Sequence, residues 1–131
     1  MRANRLLNKE ITALFKFESY EIIFNEDWVL NVPWIEVMVT CFHETRHAYQ
    51  SYSIKHGINE SKDILETWKK EQANYNSPSC ENKPLSDIEY LRQSIEVDAI
   101  RFAHIQIKEL FNVKTIIPDI IKDLIKKHKE E

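Results

Sequence analysis

The stretch PWIEVMVTCFHETRHAYQSYSIKHG, residues 33–57, determines how this chain is interpreted. Asn31 and Pro33 stand at its start, and proline is well tolerated in the first turn of a helix. Gly57, the only glycine in the chain, stands at its end and suits the left-handed residue that follows many helices. The stretch therefore predicts one long helix that runs to about His56.

The middle of this helix carries the pattern HExxH, from His43 to His47. Histidines four positions apart lie on one face of a helix, so both imidazoles can reach a single metal ion. Glu44 lies beside that face, where a carboxylate can accept a proton from a water that the metal activates. The pattern predicts two metal ligands, His43 and His47, and a catalytic base, Glu44.

The rest of the helix is mostly apolar, with one polar stripe centred on the two histidines. Polar groups on such a helix are costly without partners, and a metal ion is one such partner. The polar stripe also contains Glu36, Thr40, Gln50 and Ser51. On the opposite side of the helix, the residue types predict a stripe that faces the core, made of Trp34, Met38, Cys41, Ala48 and Tyr52. Tyr49 also points away from the histidines. The alternative is an ordinary amphipathic helix with two exposed or hydrogen-bonded histidines.

A catalytic zinc ion needs a third protein ligand and an open position for water. The extended pattern HExxHxxGxxH is absent, because Gln50 and Ser53 stand at its glycine and last histidine positions. The candidate ligand is Glu96, in a second helix. Its helical neighbours are small or aliphatic and would let another helix approach closely: Ala99, Ile100 and Ala103. The alternative for Glu96 is an ion pair with Arg92 on a solvated helix face.

The remaining pattern predicts an α+β fold that is mostly helical, with a small sheet or single hairpin packed on the long helix. Hydrophobic spacing and turn signals predict a helix over 4–16, a strand over 18–25, a helix over 61–74, a loop over 75–85, a helix from about 87 to 111 and a last helix from about 118 towards 129. Ser86, just before the helix that starts near 87, and Glu89, in its first turn, form a capping box.

Composition predicts one globular domain over residues 1–131, with 43% hydrophobic and 30% charged residues. The net charge of −3 argues against binding nucleic acid through bulk charge. The apolar runs are too short for a membrane span, and the N-terminal residues show no export signal. The chain has two cysteines, Cys41 and Cys80, fewer than a small secreted scaffold carries, so we expect a cytoplasmic protein.

Taken together, a strand, an HExxH helix and a helix with Glu-x-Asp-Ala-x-x-Phe-Ala at 96–103 resemble the zincin-like metallopeptidases of gluzincin type. Within these, the chain is most similar to small bacterial and phage proteins of the ImmA/IrrE kind. The resemblance covers about residues 18–56 and 86–104. It implies a minimal zincin-like domain that binds Zn²⁺ through His43, His47 and Glu96, with Glu44 as the catalytic base.

Two departures from the family pattern stand out. The family usually places Asn or Asp four residues after the ligand Glu, where this chain has Ile100. The gap between His47 and Glu96 is also long, which makes residues 58–85 an expected insertion, such as a lid or a substrate-selecting element.

Several other side chains have weaker claims to a role. Arg46 is expected to pair with a nearby acid or to steer a substrate carboxylate. Tyr75 and Tyr90 are candidate oxyanion donors by residue type alone. His104 is a candidate supporting group or a surface residue. Cys80 is either an unremarkable loop thiol or an inhibitory metal ligand, and Cys41 is expected to be a buried apolar residue.

These observations predict zinc-dependent hydrolysis of peptide bonds in a peptide or protein substrate. The rival from another class is a non-catalytic regulator that keeps the fold and the metal in order to bind a partner protein. The retained Glu44 argues against that rival, because a pure metal-binding module has no use for a base there. The third possibility is a structural helical protein with a chance HExxH.

Overall fold

A computed structural model describes residues 2–4, 12–74, 91–115, 117 and 121–124. Over these residues the chain is α+β and mostly helical, as expected. The elements are β1 (Arg2–Asn4), β2 (Ala13–Lys16), β3 (Glu21–Asn25), α1 (Glu26–Asn31), α2 (Trp34–His56), α3 (Lys62–Ala73) and α4 (Ser94–Phe111). Among the helices described, none combines the length and the apolar composition that a membrane span requires.

The strands form one three-stranded sheet in the order β1-β3-β2. β2 runs antiparallel to β3 and β1 runs parallel to it. The central strand is apolar and β-branched or aromatic, and Ile22, Ile23 and Phe24 are all buried. β2 also lies against α2, so the sheet packs on the helix that carries HExxH.

The helix predicted over 4–16 is wrong, because residues 13–16 form strand β2. The apolar residues of this segment have helical spacing, but Leu14 and Phe15 pair with Ile23 and Ile22 across the hairpin. Sheet pairing with the next segment of the chain therefore overrides the helical pattern. The predicted strand over 18–25 begins later, at Glu21, because residues 17–20 form the turn between β2 and β3.

The predicted long helix is confirmed as α2. It begins at Trp34, directly after Pro33, and ends at His56. Gly57 adopts the left-handed conformation with φ of 63°, and its backbone N–H donates to the carbonyl of Ser53. The lone glycine thus ends the helix in the expected way.

The two long helices α2 and α4 pack against each other in antiparallel fashion. Near the start of α2, Trp34 contacts Phe111 at the end of α4, with ring centroids 5.2 Å apart. Further along, Phe42 contacts Phe102 at 6.2 Å.

α4 begins at Ser94 rather than near residue 87, because residues 92 and 93 are not helical, and residues 87–90 lie outside the described part. Its buried apolar residues are Ile95, Val97, Ala99, Ala103 and Ile107.

The core stripe predicted for α2 is wrong at both of its ends. Trp34 is 63% exposed and Tyr52 is 48% exposed. Met38, Cys41 and Ala48 are only partly buried, whereas the buried residues of α2 are polar: Glu44, Gln50, Ser51 and Ser53. The polar side of α2 therefore faces the interior, because its side chains find hydrogen-bond partners on α3 and α4.

The predicted helix over 61–74 is confirmed as α3, which packs on both α2 and α4. Trp68 is buried with 4% exposure, and Gln72 Nε2 donates to Ser51 Oγ at 2.7 Å. The first part of segment 58–85 is thus packed into the body of the domain. An insertion or lid in this segment stays a prediction, and its loop over 75–85 lies outside the described residues.

Candidate metal centre

The two histidines of HExxH point to the same place from one face of α2. Their Nε2 atoms are 3.1 Å apart, and their ring centroids are 4.8 Å apart. The His43 side chain is 18% exposed and that of His47 is 14% exposed. The pair therefore lies at the edge of the interior, with one side open to solvent.

Glu96 reaches this place from the first turn of α4, and its side chain is completely buried. Its Oε2 lies 3.0 Å from His43 Nε2, and its Oε1 lies 3.2 Å from His47 Nε2. The alternative that Glu96 lies on a solvated helix face is excluded, since its side chain has no exposed surface. Sequence reasoning predicted that these three side chains belong together, and the structure brings them together.

The three donor atoms fit a small metal ion. Within the described residues, His43, His47 and Glu96 form a cluster of potential ligands whose donor atoms all lie within 4.8 Å of one another. A tetrahedral ion with bonds of about 2.0–2.1 Å separates its ligand atoms by about 3.3–3.4 Å. The separations found here are a few tenths of an ångström shorter, so small side-chain movements would admit an ion. Two imidazoles and a carboxylate suit zinc and also other first-row metals.

Strong charge coupling holds the cluster together. Burial tends to lower the pKa of His47, but the charge and hydrogen bond of Glu96 outweigh it and raise that pKa to about 9. Burial tends to raise the pKa of Glu96, but the charge of His47 and the hydrogen bonds of both histidines lower it well below its usual range. A buried carboxylate is thus kept ionised beside a positive partner, and a bound cation would provide the same compensation.

Glu44 lies next to His43 on the buried side of α2, with 9% exposure. Burial raises the pKa of its carboxyl, while the charges of His43 and His47 act in the opposite direction. A raised pKa brings a carboxylate closer to the neutral range in which a general base works best. Glu44 therefore has the environment expected for a proton acceptor beside the metal cluster.

A chain of polar contacts supports His47 from behind. His47 Nδ1 lies 2.8 Å from Gln50 Oε1, and Gln50 Nε2 donates to Asp98 Oδ2 at 2.8 Å and to the Ile95 carbonyl at 2.9 Å. Arg46 holds Asp98 with two hydrogen bonds, of 2.8 and 3.2 Å. The aliphatic side chain of Ile100 offers no polar contact to the cluster, whereas Gln50 and Asp98 link His47 to α4.

The expected role of Arg46 as the partner of a nearby acid is confirmed by these bonds to Asp98. Its guanidinium also lies over two aromatic rings, 4.1 Å from the centroid of Tyr49 and 4.8 Å from that of Phe102. Glu60 accepts a hydrogen bond from the Tyr49 hydroxyl at 2.8 Å and lies 3.8 Å from Arg46. Arg46 is therefore held within the protein rather than aimed at a substrate.

Helix α3 contributes an N-terminal cap to the helix that carries Glu96. Glu71 accepts hydrogen bonds from the backbone N–H groups of Ser94 and Ile95, at 2.7 and 3.0 Å, and from the Ser94 hydroxyl at 2.5 Å. The residue before α4, Gln93, makes no side-chain cap of its own. Glu71 thus satisfies the free N–H groups just before Glu96.

The remaining candidates have other surroundings. His104 Nδ1 lies 2.6 Å from Thr115 Oγ1, which gives it a local partner at the end of α4. Cys41 is a free thiol, and partial burial raises its pKa. Tyr75, Cys80 and Tyr90 lie outside the described residues.

Sequence reasoning missed two supporting residues, Gln50 and Glu71. Gln50 stood in the polar stripe, three positions after His47, and this spacing was a usable signal. Its link to Asp98 depends on how α2 and α4 pack, and the link from Glu71 to Ser94 depends on where α3 lies.

Comparisons with protein-family models, with curated proteins and with solved structures found no match for this chain.

Proposed function

We propose that this protein is a zinc-dependent hydrolase of peptide bonds. The observation that carries the proposal is the convergence of His43, His47 and Glu96 from two helices, with Glu44 buried beside them. This donor set is one that catalytic zinc sites use, and it leaves a position for water. The resemblance to the gluzincin pattern supports the same conclusion.

In this proposal, His43, His47 and Glu96 would hold the ion, which would supply a Lewis acid for the substrate carbonyl and for a water molecule. The carboxylate of Glu44 accepts the proton of the attacking water and returns it to the nitrogen of the leaving amine. The charge of His47 and the hydrogen bonds of both histidines hold the pKa of Glu96 below its usual range, so Glu96 stays ionised. The two carboxylates thus have separate tasks, one as ligand and one as base.

Access for a substrate comes from the side of the histidines. Glu96 is fully enclosed, whereas His43 and His47 both keep part of their rings exposed. A peptide carbonyl would therefore approach across the exposed edges of the imidazoles and not through α4. A peptide or protein chain is the proposed partner, and the cytoplasm is the proposed location because the chain has only two cysteines.

The test uses the purified protein and a library of fluorescence-quenched peptides. Cleavage should be present with zinc, should disappear on chelation and should return when zinc is restored. A second outcome is tight zinc binding without cleavage of either the library peptides or an unfolded protein substrate. That result would reject the hydrolase and favour the non-catalytic regulator. If zinc does not bind, the metal-dependent proposal itself is wrong.

A further inference from the structure

We propose that Gln50 is a positioning residue, which selects the nitrogen that His47 offers to a metal and holds α2 in register with α4. The proposal rests on the proposed function, because it assigns a task within the same metal cluster. It starts from the position of Gln50, whose side chain is completely buried between the two ligand-bearing helices. All of its polar atoms have partners there.

The orientation of the Gln50 amide follows from the chemistry of its partners. Its nitrogen faces the Ile95 carbonyl and the carboxylate of Asp98, and both of these only accept hydrogen bonds. Both oxygens of Asp98 also accept hydrogen bonds from Arg46, a side chain that only donates. The amide nitrogen must therefore be on this side, and the amide oxygen must face His47.

The orientation of the amide in turn determines the proton on His47. An amide oxygen accepts but does not donate, so His47 Nδ1 must carry the proton in the 2.8 Å contact with Gln50. A metal-binding imidazole is neutral, with one N–H and one lone pair, so on metal binding the lone pair lies on Nε2. Nε2 is the atom that faces Glu96 and His43.

The same side chain also links the two ligand-bearing helices. Gln50 donates to the carbonyl of Ile95, the residue directly before Glu96. One side chain on α2 thus bonds to the ring of one ligand and to the backbone next to another ligand. One bond orients the His47 ring, and the other fixes the backbone next to Glu96. The distance between His47 and Glu96 therefore depends on both bonds.

The experiment compares zinc affinity in the full chain and in two Gln50 variants, by competition with a chromogenic chelator. Gln50→Met keeps the length of the side chain and removes every hydrogen bond, so zinc affinity should fall by about 10- to 100-fold. Gln50→Glu combined with Asp98→Asn keeps an acceptor opposite His47 Nδ1 and gives the new carboxylate an amide donor at position 98, so this variant should retain zinc better than Gln50→Met. A role in packing alone predicts the reverse order, since methionine is the better tolerated buried side chain.

Gln72→Met is the matched control, because Gln72 also bridges two helices but contacts Ser51 and not a metal ligand. Its zinc affinity should stay within about twofold of the wild type. Equal affinities for the wild type and Gln50→Met would overturn the positioning role while leaving the metal site intact.

A second measurement on the metal-free protein tests the inference independently of zinc. Imidazole nitrogen NMR of the wild type should show a slowly exchanging proton on His47 Nδ1, and Gln50→Met should lose that protection. An unprotected Nδ1 proton in the wild type would overturn the inference. A wild type that binds no zinc would reject the proposed function, and the protection of Nδ1 would then decide the role of Gln50.

Discussion

The pKa values of two neighbouring carboxyl groups are shifted in opposite directions. The pKa of Glu96 is lowered by the histidines that it contacts, whereas burial raises the pKa of Glu44. Pairs of acids whose surroundings separate their pKa values commonly divide the tasks of an active site. The contrast supports a ligand role for Glu96 and a base role for Glu44.

The Glu44→Gln variant tests the base directly. Glutamine has nearly the same shape but does not accept the proton, so zinc content should be unchanged and peptide cleavage should fall by about 10²- to 10⁴-fold. Thr45→Ala is the control, since Thr45 is an exposed neighbour in the same motif. Equal cleavage rates for Glu44→Gln and the wild type would remove Glu44 from the mechanism.

The third ligand is tested by comparing Glu96→Ala with Asp98→Ala. Glu96→Ala should abolish zinc binding, because it removes one of three donors. Asp98→Ala should keep the zinc with weaker affinity, because Asp98 acts only through its bonds to Gln50 and Arg46. Metal analysis of both variants distinguishes the roles, and loss of zinc from the Asp98 variant alone would reverse the assignment.

At the scale of a single element, the end of α2 was predictable from sequence because one glycine carries the signal. Gly57 has a φ of 63°, and a Cβ placed there meets no other atom within 4 Å. Gly57→Ala should therefore lower the free energy of unfolding by about 1 kcal/mol through backbone strain alone. Gly57→Asn should cost less, since asparagine tolerates this conformation, and chemical denaturation of both variants measures the difference.

The start of α4 was not predictable, because its cap comes from another helix. Glu71→Ala leaves two backbone N–H groups and the Ser94 hydroxyl without their acceptor, and should cost about 2 kcal/mol of unfolding free energy. Glu66→Ala, an exposed acid on the same helix, should change stability by less than about 0.5 kcal/mol. Equal small effects in urea unfolding would show that Glu71 does not support α4.

The errors of sequence interpretation have a common physical cause. Leu14 and Phe15 have helical spacing but lie in a strand, because their partners are in β3. Trp34 and Tyr52 are apolar but exposed, because α2 turns its polar side to the interior. The local sequence pattern predicts secondary structure and burial well where side chains face water or a simple apolar core. It fails where pairing with specific residues of another element determines the structure.

At the scale of the whole molecule, the sequence was sufficient to propose the cluster but not its support. HExxH and Glu96 were identified because their residue types and spacing carry the chemistry. Glutamine and glutamate at positions 50 and 71 carry no such signal, and their roles arise only when α2, α3 and α4 pack together.

Zinc should stabilise the entire fold, because its ligands join α2 to α4. A ligand that binds only the native state adds about 2.7 kcal/mol when its concentration is 100 times its Kd. The midpoint of thermal unfolding should rise with zinc and fall with chelator in the wild type. In Glu96→Ala, the midpoint should respond to neither, and an equal response in both proteins would place the stabilising metal elsewhere.

The most direct test of the central claim is the zinc content of the purified wild type beside that of His43→Ala, with His56→Ala as the control. His56 is an exposed histidine on the same helix. We expect about one zinc ion per chain in the wild type and in His56→Ala, and none in His43→Ala. A wild type without zinc, or a His43→Ala variant that retains it, would contradict the proposed metal centre.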